Sequence, residues 1–128
     1  MKILIADKLS IIQDNVKKVL SSFPCEAQVD EAYNEDDALR KMESGSYDLA
    51  ILEDGIEGMN GLNILEHAKN NHKQTRVLIF TEQPMGSSAK RAFHLGASGY
   101  MTRFSAYNVL NLALHDIALG DGYEAHAS

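Results

Sequence analysis

Tryptophan is absent from this chain of 128 residues, cysteine occurs once and proline twice. A lone cysteine, Cys25, cannot close an internal disulfide, so stability has to come from a packed core. The same shortage suits a reducing cytoplasm, which is the expected location. Cys25 itself reads as a semi-buried thiol following the first helix. No apolar run approaches the roughly 18 residues of a membrane span, so no membrane association is expected. Met1-Lys2 leads directly into Ile3-Leu4-Ile5-Ala6, too short a run for a signal peptide. Positive charge is also scarce: 12 Lys and Arg face 18 Asp and Glu, a net charge of −6. Phosphate contacts need a basic patch, so nucleic-acid binding by this segment is excluded.

What remains is ordinary for one globular domain, with 45% hydrophobic residues and enough length for a sizeable core. Ile3–Ala6 is a short apolar run ending at Asp7-Lys8, hence a first buried strand. Leu9, Ile12, Val16, Val19, Leu20 and Phe23 follow three- and four-residue steps, giving a helix that Pro24 stops. Glu26–Ala32 reads as a second strand nearer the sheet edge. Asn34 is a good N-cap, and Glu35-Asp36-Asp37 suit a helix start better than a docking patch. Ala38, Leu39 and Met42 give that helix its inner face, and Gly45 ends it.

Tyr47–Leu62 organises the rest. Leu49-Ala50-Ile51-Leu52 stops at Glu53 and Asp54, then a turn with Gly55, Gly58 and Gly61 opens a third helix carrying Leu62, Leu65 and Ala68. Thr75–Thr81 is a fourth strand, and Ser87 or Ser88 caps a short fourth helix with Ala89, Ala92 and Phe93. Tyr100-Met101-Thr102 is a brief fifth strand followed by Arg103. Ser105 starts a last helix through Val109, Leu110, Leu114 and Ile117 to Gly120. Five strands alternating with five helices imply βαβ units and a doubly wound, five-stranded parallel sheet in three α/β/α layers, a flavodoxin-like (βα)5 fold. Residues 1–120 are read as the domain and 121–128 as a loosely ordered polar tail. In such a sheet the strand ends share one edge, so Asp7, Lys8, Glu53, Asp54, Thr81 and Arg103 should meet.

The phrases I-L-I-A-D, D-L-A-I-L-E…G-M-N-G-L, V-L-I-F-T and G-A-S-G-Y-M-T-R resemble the receiver domain of bacterial two-component response regulators, CheY-like modules of phosphorelay signalling. The likeness spans roughly residues 2–119 and is strongest to receivers that precede helix-turn-helix output domains. It implies two acids after the first strand and an aspartate after the third, which bind a divalent metal and accept a phosphoryl group from a histidine kinase. It also implies a threonine or serine after strand four, an aromatic switch residue on strand five and a lysine after it. Asp7, Thr81 and Tyr100 match. Lys8 stands in place of the second acid, Glu53 in place of the phosphoacceptor aspartate, and Arg103 in place of the lysine. Gly58 lies five residues after Glu53 and four after Asp54, and the family spacing is five, so Glu53 takes the acceptor position.

These departures carry a physical cost. Magnesium wants carboxylate oxygens in a near-octahedral shell, and here Asp7, Lys8 and Glu53 sum to −1. An extra methylene in Glu53 moves its carboxylate by on the order of 1 Å, which can cost about 10²-fold in rate. Weak or absent Mg²⁺ binding is therefore expected, with no other cofactor. Two readings of the altered pocket follow. Lys8 and Glu53 form an internal ion pair replacing metal and phosphate, which is favoured, or Glu53 mimics a phosphoaspartate and engages Thr81 and Arg103. The domain is then an atypical receiver, a regulatory module and not an enzyme. The alternatives are a working receiver phosphorylated on Asp54 or Glu53, and a flavodoxin-like cofactor carrier.

A sensor kinase or an output domain is the expected protein partner. The last helix is apolar over a wide arc, so Tyr107, Leu110 and Leu114 mark a candidate interface. Receivers commonly pair through helix four, strand five and helix five, which admits a homodimer. His67, His72, His94, His115 and His126 lack metal-ligand spacing such as H-x-x-x-H and read as surface residues.

Overall fold

The computed structural model describes all residues except 9–11, 24–25, 83–85, 103 and 128, and describes the backbone alone at 86–87 and 118–127. Strands β1 (Lys2–Ala6), β2 (Gln28–Ala32), β3 (Leu49–Glu53), β4 (Arg76–Phe80) and β5 (Gly99–Met101) alternate with helices α1 (Gln13–Ser21), α2 (Glu35–Ser44), α3 (Gly61–Asn71), α4 (Gly86–His94) and α5 (Ala106–Ala127). All four strand pairings are parallel, in the order β2-β1-β3-β4-β5.

Side chains alternate across each strand, so the unbroken apolar runs feed two cores, one on each face of the sheet. Leu4, Ala50, Leu52 and Ile79 pack against α2, α3 and α4 through Met42, Ile64, Leu65 and Ala92. Ile3, Ile5, Ile51 and Phe80 pack against α1 and α5 through Val16, Val19, Leu110 and Leu114. Burial on both faces explains why β1, β3 and β4 have no polar alternation. The β2 strand is at an edge, as expected, with β5 at the other, and Val29 in β2 is exposed.

Several boundaries differ from the sequence expectation. The α1 helix begins at Gln13, with no side-chain cap at Ile12; the Ile12 N–H instead donates to Asp7 Oδ2 at 2.7 Å. Asn34 and Asn60 cap α2 and α3 as their residue type suggests, accepting from the N–H of Asp37 and Asn63. Ser105 reaches backward, its Oγ accepting from the Thr102 N–H at 2.9 Å. The α5 backbone continues through Gly120 and Gly122 to Ala127. Glycine inside a helix costs only about 1 kcal/mol, so Gly120 is not an obligatory stop. Pro24, Cys25, Leu9, Ser10 and Pro84 fall outside the described residues.

Candidate functional site

Strand order reverses at β1, whose neighbours are β2 and β3, and open α/β sheets gather chemistry beyond the strand ends at such a point. Asp7 follows β1 and Glu53 ends β3, and each is only 1% exposed. Asp7 Oδ2 faces the start of α1, where a carboxylate is favoured by the helix dipole. Glu53 Oε1 accepts from the Lys8 backbone N–H at 3.0 Å. Among the described residues, Glu53 Oε2 is buried with no hydrogen-bond donor.

Burial is the main reason the Glu53 carboxyl is pushed up to about 7; the Lys8 N–H opposes it, while Asp7 and Glu82 add to it. Ionised, Glu53 leaves Oε2 stranded beside a second carboxylate. Protonated, it can donate toward Asp7, so the neutral form of Glu53 suits this pocket.

The expected ion pair between Lys8 and Glu53 is not formed by the ammonium. Lys8 is exposed, and its Nζ donates to the Glu57 carbonyl at 2.7 Å. The reason is local: the Lys8 backbone N–H already points at Glu53, which directs the side chain outward over the β3–α3 turn. That turn is held close. Gly58 has φ +86 and its carbonyl accepts from the Glu35 N–H at 2.9 Å. Gly61 is packed so tightly that a Cβ there would lie 2.5 Å from the Glu53 carbonyl oxygen.

Asp54 is placed differently from Glu53. Its N–H donates to the Phe80 carbonyl, and it borders a cleft of about 330 Å³ shared with Gly55, Thr81, Glu82, Ser88 and Tyr100. Thr81 is 4% exposed, and its hydroxyl faces Gly55. Tyr100 is half-buried against the core on the α2–α4 face. Strand ends thus bring together Asp7, Lys8 and Glu53 in one pocket, with Asp54, Thr81 and Tyr100 beside it. Arg103 lies outside the described residues. Of the interface candidates, Leu110 and Leu114 are 0% exposed because they face the sheet, and Tyr107 is 45% exposed. The outward apolar residues here are Tyr107, Leu112, Phe104 and, on α4, Phe93. Among the described residues, no helix is long and apolar enough to cross a membrane.

A parallel sheet in this order with an acidic pocket at the β1–β3 switch agrees with what sequence comparison finds. The sequence profile of the response regulator receiver domain matches residues 3–115. The chain belongs to that family. This receiver domain is similar to the nitrate/nitrite response regulator protein NarL of Escherichia coli K12, 29% identical over 119 residues, covering 93% of this chain and 55% of that one. It is also similar to the transcriptional regulatory protein CiaR of Streptococcus pneumoniae, 29% identical over 103 residues, covering 80% of this chain and 45% of that one. The chain spans about half the length of these curated relatives. Among solved structures, the signal receiver domain of a DNA-binding response regulator from Colwellia psychrerythraea 34H superposes with TM-score 0.80 at 21% identity, covering 92% of this chain and 98% of that one. The signal receiver domain of the NarL response regulator of Mycobacterium tuberculosis gives 0.76 at 23%, covering 93% and 96%. At these identities the structural likeness speaks for the fold alone, the CheY-like α/β fold.

The donor set can be weighed against the Mg²⁺ that the family implies. Asp7 Oδ2 is engaged by the Ile12 N–H and Glu53 Oε1 by the Lys8 N–H, and the third position carries an ammonium in place of a carboxylate. Burial pushes the Glu53 carboxyl up to about 7. A small hard dication favours several charged oxygens around it, and Lys8 stands where the family has one of them.

Proposed function

We propose that this receiver domain acts in two-component signalling by protein contact, with a degenerate phosphoryl-transfer site. One observation carries the reading: Glu53, at the acceptor position, is buried against Asp7 with a stranded oxygen and an affinity for a proton near neutral pH. Phosphoryl transfer to a carboxylate needs an ionised nucleophile and a cation to neutralise developing charge. Here burial favours the neutral form of the nucleophile, and Lys8, with its ammonium turned to the Glu57 carbonyl, stands in place of an acid. A phosphomimetic Glu53 would need a lasting negative charge, which its burial opposes. The pocket is better described as a buried acid, Glu53, kept largely neutral beside Asp7.

Contact with a sensor kinase or an output domain then rests on the surface. A groove of about 530 Å³ runs between α4, β5 and α5, lined by Phe93, Tyr100, Val109 and Leu112 among others. Together with the exposed Tyr107, it is the face proposed for such a partner or for a second copy of the chain.

Incubation of the chain with acetyl phosphate and Mg²⁺, read by intact mass, tests the degenerate site. No phosphoryl mass gain is expected for the wild type. The double variant Lys8→Asp/Glu53→Asp rebuilds three acids and is expected to become modified under the same conditions. A wild-type mass gain mapped to Glu53 or Asp54 would establish the working-receiver reading instead.

A further inference from the structure

We propose that Glu43, His67 and His72 form a binding site for a divalent transition ion of the zinc class, at the opposite end of the sheet from the acid pocket and independent of it. Glu43 lies in the last turn of α2, His67 lies within α3, and His72 is the C-cap of α3. Glu43 Oε1 stands 2.6 Å from His67 Nε2 and 3.6 Å from His72 Nε2. One ligand atom from each of the three residues lies within 4.8 Å of the others. The two imidazole rings are 5.7 Å apart and tilted by 48°.

A plain histidine–carboxylate hydrogen bond accounts for His67 and Glu43. It does not account for His72, whose Nε2 is buried with no hydrogen-bond partner. A buried nitrogen left unmatched is costly, and a metal ion among the three groups would satisfy it. Two imidazoles and one carboxylate are the ligands zinc uses in open sites, with the fourth position left to water. Imidazole nitrogen also selects against Mg²⁺ and Ca²⁺. In a tetrahedral zinc site with bonds of about 2.0–2.1 Å, ligand atoms sit about 3.3 Å apart. The longer Glu43–His72 separation is already close to that. The shorter Glu43–His67 contact has to open slightly, which the exposed Glu43 side chain permits.

Asn71 Nδ2 lies 3.3 Å from His67 Nδ1 and donates to the His67 carbonyl at 3.1 Å, so it steadies that ring from the same helix. His72 also lines an open cleft of about 450 Å³ with Ser46, Asn70 and Gln74, giving solvent access to this end of the domain. Bound metal would clamp the ends of α2 and α3 together.

The test uses the full chain in a Cys25→Ser background, stripped with EDTA and titrated with ZnCl2 against a chromophoric chelator. One saturable zinc site per chain is expected, along with a visible absorption band of tetrahedral type when Co²⁺ replaces zinc. His72→Asn and His67→Gln, each checked for native circular dichroism, should weaken zinc binding by at least about 100-fold, the upper end of what even an outer-shell loss costs. A His94→Ala/His115→Ala/His126→Ala triple variant should bind as the parent does. No saturable binding by the parent, binding that survives both His67→Gln and His72→Asn, or binding lost in the triple variant would each overturn the assignment.

Discussion

Replacing Glu53 by glutamine isolates the proton that the acid pocket is argued to hold. Taking a carboxyl from its usual 4.5 to about 7 corresponds to a preference for the neutral form of about 3 kcal/mol, at about 1.36 kcal/mol per tenfold change. The sign follows from linkage. Below about pH 4.5 the carboxyl is neutral in both folded and unfolded chains, and the group contributes no pH dependence. Between about 4.5 and 7 the unfolded chain releases its proton while the folded chain keeps it, so stability falls as pH rises through that window. Above about 7 the full penalty of ionising a buried acid beside Asp7 is in place. Glutamine cannot ionise, still accepts from the Lys8 N–H and can donate toward Asp7. Glu53→Gln should therefore match the wild type near pH 4.5 and exceed it by up to about 3 kcal/mol at pH 8. Urea unfolding in EDTA buffers across that range reads the difference, as a midpoint gain of about 1–3 M at the alkaline end for slopes of about 1–3 kcal/mol/M. The other titratable groups are common to both proteins, so the difference curve cancels them. Parallel curves for the two proteins, or a Glu53→Gln chain less stable at pH 8, would refute the reasoning that burial holds the Glu53 carboxyl neutral.

The two faces of α5 should respond in opposite ways. Leu110→Ala removes a fully buried side chain and should cost about 2–5 kcal/mol in chemical denaturation. Leu112→Asp, at a position 72% exposed, should change stability by less than about 0.5 kcal/mol while weakening any self-association seen by analytical ultracentrifugation. Gly61→Ala forces a methyl against the Glu53 carbonyl, which a Cβ would approach to 2.5 Å. Rigid backbone cannot yield as a side chain can, so the variant should lose more than about 1 kcal/mol, with amide shift changes centred on β3 and the start of α3 in NMR spectra.

What the sequence disclosed and what it concealed divide along a physical line. Buried parallel strands write themselves as apolar runs ending at polar residues, so β1, β3 and β4 and the shared edge of Asp7, Glu53 and Thr81 were readable. Spacing to Gly58 is what separates Glu53 from Asp54 in the sequence; in the fold Glu53 is buried and Asp54 borders the open cleft. Three things were hidden, each for want of direction in space. Periodicity marks α5 as apolar over a wide arc but does not say that Leu110 and Leu114 turn inward while Leu112 and Tyr107 turn out. His67 and His72 are five residues apart, a spacing that no helix face joins; they meet because α3 ends between them and His72 adopts the non-helical φ −137, ψ 61. Charge arithmetic placed a cation, Lys8, beside Glu53, yet the backbone N–H of Lys8 takes the near oxygen and its ammonium leaves for Glu57. The burial that pushes the Glu53 carboxyl up to about 7 is likewise set by packing, which the sequence does not write down, so its ionisation becomes a property of the fold.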